Sequence, residues 1–117
     1  MSFTRSIAAV ALATGLSGCL SGIDGGPLVR PGEPTGEIVL VNRSGTVIDV
    51  VTVSDCDNFT HGFNRLDGAT IPNGSSYSWT VSAGCWDVEG GVISTGQFVQ
   101  FHKETVVAGR TTTLTVQ

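Results

Sequence analysis

Charge is scarce in this 117-residue chain: Asp, Glu, Lys and Arg make up 14% of it, and the formal net charge is −4. From Glu37 onward, Arg43, Arg65, Lys103 and Arg110 stand against eight carboxylates. Nucleic acid and anionic lipid are therefore repelled rather than recruited. Aromatics are only 7% of the residues, cysteines number three and histidines two. With so few, paired Cys-x-x-Cys or His-x-x-x-His spacing does not occur. A Gly-x-Ser-x-Gly elbow and a phosphate-cradling glycine loop are also missing. These absences argue against an enzyme and imply no cofactor. No apolar run approaches the roughly 20 residues that span a bilayer as a helix, and no stretch after Cys19 carries a 3.6-residue period.

The first segment that stands out is Arg5 followed by the apolar run from Ile7 to Leu16. A single positive charge before about ten apolar residues has the layout of an export signal. It closes on Leu16-Ser17-Gly18-Cys19, which resembles the lipobox of bacterial lipoproteins. That resemblance implies cleavage before Cys19, acylation of its thiol and anchoring of the mature chain in a membrane. Leu20, rather than Asp, after the cysteine implies the outer membrane where the host is Gram-negative. The domain plan is a signal peptide over 1–18, a lipidated Cys19 with a Gly/Pro-rich tether over 19–36, and one folded domain over 37–117. Gly22, Gly25, Gly26, Pro27, Pro31, Gly32, Pro34 and Gly36 make the tether reading. An arm packed on the domain through Leu28 and Val29 is the alternative.

From Glu37 the pattern is all β. Ile38–Val41 is a short apolar run ended by the turn residues Asn42-Arg43-Ser44-Gly45, and Val47–Val53 is rich in β-branched residues; together they predict a hairpin. Residues 76–82 alternate, with Tyr77, Trp79 and Val81 on one face and Ser or Thr on the other. Trp86 and Val88 alternate with Asp87 and Glu89. Three further runs, 97–101, 104–107 and 111–116, complete seven short strands. Such spacing predicts a seven-stranded antiparallel sandwich of the immunoglobulin or prealbumin kind, with a small closed barrel as alternative. The strand phase of Tyr77, Trp79, Trp86, Phe98 and Phe101 predicts that they pack in its core, with the lining of a carbohydrate or peptide site as the alternative.

Several landmarks resemble a recurrent bacterial β-sandwich domain found in exported proteins and lipoproteins. They are Glu37 to Gly45, Gly62-Phe63-Asn64-Arg65-Leu66, Thr70 to Ser76, Ala83 to Val88, and Val107 to Leu114. The likeness implies the sandwich fold. This chain departs from the pattern at His61, where that family carries Trp, at Arg65, where it carries Leu, and at Cys56 and Cys85.

In an oxidising exported compartment, Cys56 and Cys85 are the even pair left after lipidation of Cys19, and a disulfide is their simplest use. Closing a loop of about 30 residues would stabilise the fold by roughly 3–4 kcal/mol. A metal-binding or redox site drawing on Cys56, His61 and Cys85, with Asp55, Asp57 or His102, is the competing use. The irregular 55–69 segment, with Phe59, His61, Phe63 and Asn64, is the candidate contact surface. The function these features imply is a membrane-anchored, non-catalytic binding or structural module whose partner is an envelope protein or glycan. Its acidity and size also suit an inhibitor of a cationic enzyme such as lysozyme.

Overall fold

The computed structural model describes residues 26–58 and 60–117; the lipobox, Cys19 and Phe59 lie outside the described residues. Among the described residues there are six strands and no helix: β1 (Thr35–Asn42), β2 (Val50–Asp55), β3 (Ser76–Ser82), β4 (Gly84–Val92), β5 (Gln97–Val106) and β6 (Thr111–Val116). They form two three-stranded sheets, ordered β3-β1-β6 and β2-β4-β5. Alternation along each strand sends one face inward. In β1, Ile38 and Leu40 are fully buried while Val39 and Val41 are half-buried. Ile38, Leu40, Trp79, Val81, Leu114 and Val116 from one sheet meet Val51, Val53, Trp86, Val88 and Val106 from the other in a single apolar core.

Three expectations need correction. The strand count is six, because 97–101 and 104–107 are halves of one strand. The interruption is a bulge: Trp86 lies opposite Glu104 but Val88 opposite Phe101, so β5 carries one extra residue there. Lys103 takes φ +55° at this point, and its N–H donates to Asp87 Oδ1 at 2.8 Å. A bulge breaks the two-residue period and so imitates a loop in the sequence. The sheets are also not wholly antiparallel, since β1 and β6 pair in parallel, Ile38 opposite Thr112 and Leu40 opposite Leu114. Parallel neighbours need a long crossover between them, and here the four intervening strands supply it.

The predicted 38–53 hairpin does not form either, because β1 and β2 belong to different sheets. Asn42 explains why. Fully buried, it donates through Nδ2 to the carbonyls of Thr46 and Ile71 and accepts from Ser44 N–H and Ser44 Oγ. These bonds bend the chain away from β1, and Ile48 then bridges to Ile71, which delivers the chain to the second sheet. At the start of β4, Gly84 takes φ +143° where the chain passes from one sheet to the other.

Residues 26–34 lie against the domain. Ser82 N–H donates to Leu28 O, Ala83 N–H to Pro34 O, and Leu28 packs on the core, while Val29 is exposed. Arg30 pins this arm. Its main-chain N–H reaches Ser82 Oγ at 2.7 Å, its guanidinium pairs with Asp55 at 2.7 Å and Glu33 at 2.9 Å, and it lies 5.4 Å from the Trp86 ring centre. Gly36 opens β1 where a side chain would strike Val106 and the carbonyls of Val107 and Arg110.

Candidate functional site

Two ends of the domain differ in character. At the first, where the chain arrives at Gly26, Cys56 and Cys85 are disulfide-bonded with their Cα atoms 5.5 Å apart. The bridge ties the end of β2 to the start of β4, and Cys56 N–H also donates to Cys85 O. A pocket of about 250 Å³ lies here among Gly26, Pro27, Arg30, Asp55, Asp57 and Asn58. Among the described residues no three His, Cys, Asp or Glu side chains converge as a metal site would require. His61 is exposed, whereas His102 lies on β5 with Nδ1 3.8 Å from Asp87 and its other ring nitrogen 3.0 Å from Gln100 Oε1. Cys56 and Cys85 offer no thiolate while they are bridged.

The 55–69 segment holds a strand edge. The outer edge of β2 exposes the N–H and C=O of Val51 and the C=O of Val53, groups that need partners. Asn64 and Arg65 supply them. Asn64 Oδ1 accepts from Val51 N–H at 3.0 Å and from Leu66 N–H at 3.1 Å, and Asn64 Nδ2 donates to Asp49 O at 3.3 Å. Arg65 N–H donates to Val51 O, its Nε to Val53 O at 3.2 Å, and its Nη2 to Gly26 O at 2.6 Å. Arg65 therefore joins the loop, the β2 edge and the arriving chain, a role open to Arg and closed to Leu. Leu66 is buried in the core. Of the candidate contact residues described, His61 and Phe63 face outward, Phe63 being 64% exposed, whereas the side-chain amide of Asn64 is occupied within the fold. Asn64→Ala should lower unfolding stability by about 1–3 kcal/mol, since it strands Val51 N–H without its partner. A urea midpoint equal to the parent's would contradict that role.

The second end opens into a cleft of about 480 Å³ between the sheets. Ile48, Gly90, Gly91, Phe98, Val99 and Val116 are among the residues that line it. Gly90 and Gly91, at its edge, let neighbouring groups pack directly on the β4 backbone. A Cβ at Gly90 would sit 3.2 Å from Leu40 Cδ2, and one at Gly91 would run into the Gln97 carbonyl and the Phe98 ring. No side chain lining the cleft carries a charge; Ser44, Thr46, Gln97 and Gln117 supply its polar side chains. At its rim Ile93 is 66% exposed, Phe98 44% and Val99 36%. Phe98 thus departs from the core position expected of it, while Phe101 is half-buried against the core. The reason is register: Val99 and Phe101 lie opposite Gly90 and Val88 on the core face, so Phe98, opposite Gly91, is on the other face of the sheet. A sequence signal for the cleft did exist: Glu89-Gly90-Gly91 places two glycines inside a strand, where they weaken pairing unless something approaches closely.

The chain matches no protein-family profile, no characterised protein and no solved structure.

Proposed function

We propose that this chain is a lipid-anchored envelope protein whose domain, a β-sandwich of the immunoglobulin or prealbumin kind, works as a non-catalytic binding or structural module. The observation that supports this reading is the placement of its two ends. Gly26 is held by Arg65 beside the Asp55–Cys56 end of the sheet, whereas the uncharged cleft lies at the far end of β4, beyond Gly90. Seven residues of β4 separate Cys85 from Val92, or about 23 Å at the strand rise. A lipid on Cys19 would attach through at most about 25 Å of chain before Gly26. The Gly26 end then faces the headgroups and the cleft faces away, the arrangement a tethered binding module needs. The electrostatics agree, since a net charge of −4 keeps the domain off an anionic headgroup surface.

Intact mass of the protein extracted from its own membranes should show acyl chains on Cys19. Cys19→Ser should shift the protein from the membrane fraction to the soluble one. Parent protein with no added lipid mass would overturn the anchor and with it the assigned orientation.

A further inference from the structure

Main-chain direction at the cleft can be read from the hydrogen bonds around β4. Cys56 N–H donates to Cys85 O and Asp49 N–H to Gly91 O, so the odd-numbered residues of β4 turn their backbone groups toward β2. The even-numbered ones face β5. Val88, Gly90 and Val92 lie opposite Phe101, Val99 and Gln97, and those three β5 residues complete the ladder. Phe98 and Gln100 therefore present their N–H and C=O on the open edge. Farther along, Thr112 Oγ1 of β6 donates to Thr105 O at 3.0 Å and covers that part of the edge. Next to the cleft nothing comparable is present among the described residues.

Natural edge strands are blunted by charge, proline or bulges. The β5 bulge and Lys103 lie beyond Phe101, and no charged residue or proline occurs from Gly90 to Phe101. The 97–101 half of the edge is thus unprotected, bordered by exposed Ile93, Phe98 and Val99, and adjoins a cleft of side-chain size. Main-chain donors and acceptors at strand spacing are matched by another extended main chain, and the uncharged lining selects uncharged side chains from it.

We infer that the β5 edge and its cleft form a strand-addition site for an extended, uncharged peptide segment of a partner protein. The segment pairs with Phe98 and Gln100 and places alternate side chains in the cleft, beside Val99 and Val116. This is recognition by β-augmentation, in which backbone bonds give affinity and the cleft gives selectivity. It rests on the binding-module reading and names the kind of partner.

The test uses the mature protein purified in detergent and a defined probe, the blocked hexapeptide acetyl-Thr-Val-Thr-Val-Thr-Val-amide. A counterpart N-methylated at alternate amides keeps the side chains and loses one bonding edge. The parent peptide should bind and slow amide exchange at Phe98 and Gln100. The methylated one should bind about tenfold more weakly, as expected for loss of about two main-chain hydrogen bonds. Gln100→Pro removes the open-edge N–H and leaves the β4 ladder intact, so it should abolish binding. Gln100→Ala loses the same side-chain contacts and should retain it. Equal binding of the two peptides, binding without protection of those amides, or no binding would overturn the site. Protection of the same amides by self-association alone would assign the edge to a second copy and also overturn it. Lipid on Cys19 is scored separately by mass, so failure of the anchor and failure of this site are distinguishable.

Discussion

Trp86→Ala should be the most damaging single substitution in the domain, lowering unfolding stability by about 3–5 kcal/mol. Trp86 is the largest fully buried side chain. It lies on the central strand of its sheet, and its Nε1 donates to the carbonyl of Ser82 at 2.8 Å. The substitution would remove that donor and open a cavity between the sheets. It would also take away the ring against which Arg30 lies, loosening the arm from Asp55. For a domain whose total stability is of order 5–15 kcal/mol, much of the folded population would be at risk. Thermal unfolding followed by far-ultraviolet circular dichroism should show a Tm drop of roughly 12–40 °C. Phe98→Ala, on the exposed edge, should change stability by less than about 1 kcal/mol. Equal losses at the two sites would refute the burial argument.

Replacing Cys56 and Cys85 together by Ser should cost about 3–4 kcal/mol, the chain entropy returned to the unfolded state when a 29-residue closure is lost. The consequence is local as well as global. The closed loop contains Asn64, Arg65 and Leu66, which cover the β2 edge and plug the core. The double variant should therefore show faster amide exchange at Val51 as well as a lower urea midpoint. Reduction of the parent protein should reproduce both effects. An unchanged midpoint with Val51 still protected would show that the loop is held by its hydrogen bonds and core contacts alone. The cleft lies at the other end of the sheet, so peptide binding there should survive the loss of the bridge under conditions where the domain is folded.

Residues close together in the sequence announced themselves most clearly. The strict alternation of 76–82 and 111–116 placed Trp79, Val81, Leu114 and Val116 on faces that the structure buries. Cys56 and Cys85 were legible as a pair because the 37–117 segment holds two cysteines, which can pair in one way. The contact loop was legible only as irregular sequence. Phe63 projects from it, but Asn64 serves the β2 edge, a partner 13 residues away that no local pattern reveals. The cleft residues were read past because Phe98 and Val99 are adjacent apolar residues that leave the phase of the strand open, and alternation is indifferent to whether anything packs on a face.

By itself, then, the sequence determined the all-β character, the alternating faces, the net acidic charge and the two cysteines that can be bridged. All of these depend on residue type and short-range spacing, where side-chain sterics and the two-residue period act directly. Tertiary structure alone decided that β1 leaves its neighbour β2 for β3 and β6, that β1 and β6 run parallel, that the Gly/Pro-rich arm docks through Arg30, and that β5 keeps an open edge beside two glycines. Each of these is a choice among distant partners with similar local patterns. It is settled by which pairing buries Trp86 and the aliphatic residues of both sheets together while leaving the fewest backbone groups unpaired.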